Sequence, residues 1–265
     1  MIRFFADAQD VSDNSIKLSA EDFKHIRVLR LHPDELFIVC DGNGTDYVCR
    51  LGQRADGGTV SRSKYTERED AATVEIVDKN QSPGEPSVLC RVFLAYSKGD
   101  RLDYAVQKSV ELGAHEIVLY ESERCVAVPR DIPKKTERLQ KIALETAKQC
   151  NRGIIPGVIS AGNFDTMIEK AVSCSALTLL FYELENNLHV KPVLEQHFSL
   201  LREHEEYDIN SVSLITGPEG GFEPKEVLLA QSKGIPVVSL GSRILRSETA
   251  PVVALAALMF HTGNM

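Results

Sequence analysis

The pattern of apolar and polar residues changes character near residue 80. Before that point apolar residues come in short runs broken by glycine and aspartate. Arg3-Phe4-Phe5 starts a strand. Ser19 caps a helix over residues 20–31, with Asp22 in its first turn and Phe23, Ile26 and Leu29 on one face. Residues 36–40 and 47–51 are predicted to form a hairpin turned by Asp41-Gly42-Asn43-Gly44, and 60–65 and 73–77 complete a small antiparallel set. The expectation is a compact β-barrel with one helix.

Residues 78–86 (DKNQSPGEP) carry two prolines, a glycine and polar side chains, the composition of a linker. Beyond it strands and helices alternate. Residues 88–95 are apolar but for Arg91, close to the pattern of a strand buried on both faces. Lys98-Gly99-Asp100 turns into a helix striped by Leu102, Val106 and Val110 and ended by Gly113. A strand at 116–121 leads to Ser122-Glu123-Arg124-Cys125. Helices follow at 133–150, 164–172 and 190–204, with strands at 154–159 and 177–182 between them. Two further units close the chain. Residues 213–215 run into Thr216-Gly217-Pro218-Glu219-Gly220-Gly221, and 235–240 run into Gly241-Ser242-Arg243-Ile244-Leu245-Arg246, each followed by a helical pattern. This alternation predicts an open parallel α/β sheet. Ligands in such sheets bind outside the carboxyl ends of the strands. Two glycine turns at neighbouring strand ends are therefore expected to wall one pocket.

Composition narrows the class. A chain of 265 residues makes one large domain or two of ordinary size. The six cysteines are scattered without a CxxC pair and the seven histidines are dispersed, so a reduced, cytoplasmic protein without a metal is expected. The start, MIRFFADAQD, has no leader-like apolar stretch, and residues 250–260 are too few to span a bilayer. A net charge of −8 excludes indiscriminate nucleic-acid binding, but its distribution is uneven. Residues 124–152 hold eight basic side chains against three acidic ones, net +5, whereas 183–208 hold seven acidic against two basic. A charged run is by itself only a solvated face.

The glycine turns narrow it further. No Gly-Lys-Ser/Thr follows the first, and neither turn is a GxGxxG fingerprint, which counts against a nucleotide-phosphate loop or a dinucleotide enzyme. In the second, Ser247, Glu248 and Thr249 can cap a last helix with Pro251 in its first turn. Capping leaves Arg243, Arg246 and Glu248, around Ile244-Leu245, without an explanation.

GPEGGF followed at this distance by LGSRILRSETA resembles the bacterial 16S ribosomal RNA uridine-N3 methyltransferases, members of the SPOUT superfamily. His25-Ile26-Arg27-Val28-Leu29-Arg30, Lys98-Gly99-Asp100-Arg101, Gln107-Lys108, Glu111-Leu112-Gly113, Ser122-Glu123-Arg124-Cys125, and Gln149 with Arg152 match as well, in order along nearly the whole chain. The resemblance implies a PUA-like RNA-binding barrel over residues 1–72. It also implies a SPOUT α/β-knot domain over 73–265, with a deep trefoil knot that no periodicity reveals. It implies S-adenosyl-L-methionine as cofactor, 16S rRNA in the small ribosomal subunit as partner, and a homodimer.

The cofactor would sit against Thr216, Gly217, Pro218, Gly220, Gly221 and Gly241, with main-chain groups of Gly217, Gly221, Gly241 and Leu245 bonding the adenine and ribose. The aliphatic groups of Leu240, Ile244 and Leu245 would pack on it, with Leu180 and Phe181 closing the third side and Arg246 beside it. RNA contacts would come from Arg27 and Arg30, which share a helix face, and from Lys98, Arg124, Gln149 and Arg152. For the Arg and Lys side chains at that helix end, Arg152 among them, pairing with the helix dipole is the plainer role. Arg246 would stabilise the oxyanion of a deprotonated uridine or orient a phosphate. Glu248 would be the base or would only orient Arg246, and a structural salt bridge between the two is the alternative. Two other classes remain open at the level of sequence: an RNA-binding or ribosome-assembly protein with a vestigial pocket, and a different α/β enzyme with a nucleotide cofactor.

Overall fold

The computed structural model describes residues 1–32, 34–51, 72–203 and 211–265, so the strand expected at 60–65 lies outside the described residues. The contacts divide the chain into two units. One comprises residues 1–85 with 147–155, the other 86–146 with 156–265.

The first unit contains β1 (Arg3–Phe5), β2 (Ser15–Leu18), α1 (Ala20–Leu29), β3 (Phe37–Cys40), β4 (Thr45–Leu51) and β5 (Ala72–Gln81). The strands form one sheet in the order β1-β3-β4-β5-β2, with β1 parallel to β3 and the other pairs antiparallel. Its core gathers Phe4, Ile16, Ile26, Phe37, Val39 and Val74, with Phe4 packed edge-on against Phe37 at 5.7 Å between centroids. Ser19 caps α1 as expected, accepting the N–H of Asp22 at 3.1 Å, and Arg30 ends the helix in the left-handed region. β2 escaped the pattern because only Ile16 and Leu18 of its four residues are buried.

β5 runs through the first half of the expected linker. Strand pairing uses backbone groups, so the polar residues Asp78 to Gln81 still pair with Val48 to Thr45 of β4. A division at 72/73 would detach β5 from β2 and β4; the contacts place it after Glu85. Among the described residues of this unit, one buried and one part-buried ion pair stand out. Arg3 holds Asp46 through two bonds of 2.5 and 2.6 Å. Arg152 donates to Glu85 at 2.6 Å, and the same carboxylate accepts the N–H groups of Gly153 and Ile154 at 2.8 and 3.0 Å.

The second unit contains β6 (Leu89–Ala95), α2 (Arg101–Glu111), β7 (Glu116–Glu121), most of α3 (Ile132–Gln149), β8 (Gly157–Asn163), α4 (Phe164–Ser173), β9 (Leu177–Phe181), α5 (Val190–Glu203), β10 (Ser211–Thr216), α6 (Pro224–Ser232), β11 (Val237–Val238) and α7 (Ala250–His261). The sheet is parallel throughout, in the order β11-β9-β10-β6-β7-β8. β9 is buried at all five positions, β6 at five of seven and β10 at five of six, which accounts for their predominantly apolar sequences; the interruptions are Arg91 in β6, Thr178 in β9, and Ser211, Ser213 and Thr216 in β10. Only two residues of the expected strand 235–240 pair in β11, whereas β8 starts three residues later than expected and runs further.

The helices bury apolar faces on this sheet. Phe93, Tyr120, Phe164, Leu180, Ile215 and Phe222 form one cluster, and the Tyr120 hydroxyl donates to the carbonyl of Thr216 at 2.8 Å. That bond ties the last residue of β10 to the core just before the glycine turn begins.

Candidate active site

A cavity of about 510 Å³ opens at the carboxyl ends of β9, β10 and β11. Its walls come from Phe181 to Leu184 after β9, from Gly217 to Gly221 after β10, and from Ser239 to Ala250 after β11. Of the residues singled out from sequence, Phe181, Gly217, Pro218, Gly220, Gly221, Leu240, Gly241, Ile244, Leu245, Arg246 and Glu248 meet there. Leu180 and Thr216 do not. Each is buried in the sheet, Leu180 at 0 % exposure within the apolar cluster and Thr216 at 1 %, its Oγ1 donating to the Phe93 carbonyl at 3.3 Å. The turns also differ from expectation in one respect. β10 and β11 are not neighbours; β9 lies between them, so the loop after β9 forms the middle wall.

The first turn is shaped by close approach. The N–H of Gly221 donates to the carbonyl of Pro218 at 3.0 Å, and Gly221 has φ +69°, which an L side chain adopts only with strain. A Cβ on Gly221 would come within 2.1 Å of Glu183 Oε1, and one on Gly220 within 2.9 Å of Arg124 Cβ. Bare backbone is thus presented to the cavity where a side chain would fill it.

Glu219 anchors this turn. Its Oε1 accepts the Lys98 N–H at 2.9 Å and Arg101 Nη1 at 3.0 Å, while its Oε2 is buried without a partner among the described residues. Burial pushes this carboxyl up, but the backbone N–H groups and the Arg101 guanidinium outweigh it and hold it below the ordinary glutamate value.

Glu226, in the first turn of α6, anchors the same region from behind. At 5 % exposure it accepts Ser122 Oγ at 3.1 Å, the Glu123 N–H at 3.1 Å and the Glu223 N–H at 2.9 Å. The Ser122-Glu123-Arg124-Cys125 segment is thereby fastened beside the glycine turn. Arg124 then reaches Glu223 at 2.5 Å and the carbonyl of Gly220 at 3.3 Å.

The second turn is closed by Ser239, whose Oγ bonds both the N–H and the carbonyl of Gly241 at 3.1 and 3.2 Å. The carbonyl of Arg246 accepts the N–H groups of Thr249 and Ala250, both at 2.9 Å, and starts α7. Its side chain is exposed and makes no ion pair among the described residues. The Arg246–Glu248 salt bridge weighed as an alternative does not form. Glu248 Oε2 instead accepts Ser247 Oγ at 3.2 Å and lies 3.9 Å from Arg101 Nε. Arg101 therefore stands between the carboxylates of the two turns. Sequence reasoning recorded it within the Lys98-Gly99-Asp100-Arg101 motif without giving it a role; its place as first residue of a helix opening at a strand end was the available signal.

The residues singled out for RNA scatter. Arg27 and Arg30 are exposed on and just after α1, Gln149 is exposed at the end of α3, and Lys98 is exposed on the β6–α2 turn. Arg124 is exposed but paired with Glu223. Arg152 is the exception. It is 3 % exposed and committed to Glu85, so its charge serves the fold rather than a surface. Among the described residues no helix is long and apolar enough to cross a membrane.

Comparison with known proteins agrees with this geometry. Residues 85–259 match the family model for an RNA methyltransferase domain, and residues 18–55 match that for an RNA methyltransferase PUA domain. The chain is 28% identical over 252 residues to the ribosomal RNA small subunit methyltransferase E of Bacillus subtilis, covering 94% of this chain and 91% of the relative. It is 30% identical to the protein of the same name from Synechocystis, covering 94% and 74%. The crystal structure of the ribosomal RNA small subunit methyltransferase E of Neisseria gonorrhoeae, bound to S-adenosyl methionine, superposes with a TM-score of 0.78 at 27% identity, covering 98% of this chain and 97% of that one.

Proposed function

The chain belongs to the RNA methyltransferase family, and on that premise we propose that it methylates N3 of a uridine in 16S ribosomal RNA with S-adenosyl-L-methionine as donor. The observation that carries the reading is the cavity at three adjacent strand ends, rimmed by Arg246, which has no ion pair among the described residues, and by Glu248, in a chain so matched.

The cavity suits the cofactor. Its volume lies in the range of small-molecule sites, roughly 300–1,000 Å³. Leu184, Leu240, Ile244 and Leu245 offer an apolar surface for a purine ring, and Gly220 and Gly221 leave backbone where a Cβ would collide. When bound, S-adenosylmethionine supplies an electrophilic methyl group on a sulfonium, which departs as a neutral thioether. The chain supplies the rest. Glu248 takes the N3 proton, and the lone pair left on N3 forms the new bond to carbon. Arg246 holds the negative charge that spreads onto the flanking uracil oxygens. The closed turns hold both side chains in place, so orientation contributes without reorganisation during the reaction.

The remaining parts follow the same reading. The first unit, with exposed Arg27 and Arg30, docks the RNA, and Lys98 and Gln149 add phosphate contacts. The second unit carries the SPOUT trefoil knot around the two glycine turns. Two copies pair through α7, whose Val253 and Phe260 are exposed apolar side chains, and the enzyme works in the cytoplasm.

The test is methyl transfer from labelled S-adenosylmethionine to 16S rRNA in small subunits, with the product nucleoside identified by mass spectrometry. Arg246→Ala is expected to lower kcat about 10²- to 10³-fold while cofactor affinity stays within a few-fold. A label found on another atom, or an unimpaired variant, rejects the assignment.

A further inference from the structure

We propose that a second cavity, beside the first, is the subsite for the acceptor uracil, with Tyr104 as its stacking platform and Arg101 and Glu248 reading the base edge. The proposal rests on the methyl-transfer reading above. This cavity, about 580 Å³, is lined by Lys98, Gly99, Asp100, Arg101, Tyr104, Glu248 and Thr249. Arg101 and Glu248 also line the first cavity, so the two share one guanidinium–carboxylate wall. The two cavities adjoin at these side chains, so the edge of a base held in the second lies next to a cofactor held in the first.

The chemistry of the shared wall fits uracil and disfavours cytosine. Uracil presents an N3–H donor flanked by two carbonyl acceptors. Glu248, a carboxylate, accepts the N3–H, and Arg101, a planar fork of donors, reaches an adjacent carbonyl oxygen. Cytosine presents a bare lone pair at N3, which would face the carboxylate with nothing between them. Arg101 is held in place for this from the far side, since Glu219 Oε1 accepts its Nη1 at 3.0 Å while its Nε stays 3.9 Å from Glu248.

Tyr104 supplies the remaining element. An aromatic side chain 46 % exposed on the first turns of α2 has no packing role that requires that exposure. Lys108 Nζ lies over its ring at 5.8 Å and is itself fixed by Glu111 at 2.7 and 2.8 Å, so one face is covered and the ring is steadied. A base stacked on the other face gains an amount that corresponds to roughly tenfold or more in affinity. Lys98, at the same rim, is placed for the nucleotide's phosphate, while its backbone N–H is taken by Glu219.

The experiment uses the full chain saturated with S-adenosylhomocysteine, irradiated with 4-thiouridine 5′-monophosphate, and digested with trypsin. Cross-linking to peptide 102–108 is expected, retained in Tyr104→Phe and reduced at least fivefold in Tyr104→Leu. In parallel, Tyr104→Leu is expected to lower kcat/KM for 16S rRNA about tenfold, through KM, with cofactor affinity unchanged by calorimetry; Tyr104→Phe keeps wild-type values. Cross-linking confined to peptides other than 99–101, 102–108 and 247–265, which carry the lining of this cavity, or full kcat/KM in Tyr104→Leu, overturns the subsite while leaving the methyl-transfer reading intact. A wild-type chain that binds the cofactor but transfers no methyl group to 16S rRNA overturns both.

Discussion

Glu226→Gln tests whether the region behind the glycine turn is held by one buried carboxylate. In the wild type Oε2 accepts two donors, Ser122 Oγ and the Glu223 N–H, and Oε1 accepts one, the Glu123 N–H. A glutamine has a single acceptor oxygen. Its best orientation keeps that oxygen on the pair and turns its NH₂ toward the Glu123 N–H, so one bond becomes a donor–donor contact. An unsatisfied buried group costs about 1–3 kcal/mol, and the two surviving bonds each lose about 1 kcal/mol with the charge. Relief from holding a carboxylate away from water offsets part of this. The expected net loss is about 2 kcal/mol, measured by urea unfolding with m unchanged. Glu226→Ala, which strands all three donors, is expected to lose more, about 3–4 kcal/mol. Both variants should also weaken S-adenosylmethionine binding by calorimetry, because the freed Ser122-Glu123-Arg124 segment no longer presses Arg124 against Gly220. A glutamine variant within 0.5 kcal/mol of wild type, by the same unfolding measurement, refutes the argument.

Three further outcomes are expected. Gly220→Ala should be the worse of the two turn substitutions, because its Cβ meets Arg124 Cβ at 2.9 Å and the Arg124 carbonyl oxygen at 3.0 Å, neither free to move; overpacking of this kind costs about 1–3 kcal/mol and should open the turn. Gly221→Ala meets only the carboxylate end of Glu183, so it should cost about 1–2 kcal/mol from its positive φ and should fold with weakened cofactor binding; equal melting and equal affinity for the two variants would contradict this. Burial pushes the Glu85 carboxyl up, but Arg152 and the N–H groups of Ile154 and Gly153 hold it below the ordinary value of 4.5, so its contribution is complete above that pH and is lost as pH falls through the lowered folded value. Glu85→Gln should therefore be less stable by about 2–3 kcal/mol at pH 7 and show a shallower loss in acid; parallel pH–stability curves would rule this out. Burial pushes the Cys49 thiol up to about 12 and that of Cys125 to about 11, so neither should react with a disulfide reagent at pH 8 in the folded protein, and rapid labelling of either would count against the described packing.

The alternation of strands and helices beyond residue 86 was legible because a parallel sheet buried on both faces leaves predominantly apolar segments, as in β6, β9 and β10. The first turn was legible because glycine is needed where Glu183 and Arg124 press on the backbone, and the second because Gly241 takes φ +113°. Strand order was not. Nothing in local pattern says that β9 separates β10 from β11, and so the loop carrying Tyr182, Glu183 and Leu184 was missed as a wall. Position near a strand end was not enough at Leu180 and Thr216, both of which are buried within the sheet away from the cavity lining. Charge misled at Arg152, since a basic residue in a basic stretch reads as surface until its partner is known. Glu85, that partner, lies 67 residues away in sequence, a separation no window of periodicity spans.

The return of residues 147–155 to the first unit makes that unit discontinuous, and this bears on how the protein is made. When residue 85 leaves the ribosome, β1 to β5 are all present, yet Glu85 still lacks Arg152 and the N–H groups of Gly153 and Ile154. Synthesis of the intervening stretch takes on the order of several seconds at about 5–20 residues per second. During that interval a carboxylate destined for burial waits in water, and the chain between must close a long loop, whose entropic cost grows only slowly with length. The first unit is thus finished after the second has begun, and the two cannot be separated by a single cut. A fragment ending at residue 85 would carry every strand of its sheet and still be missing the clasp that seals it.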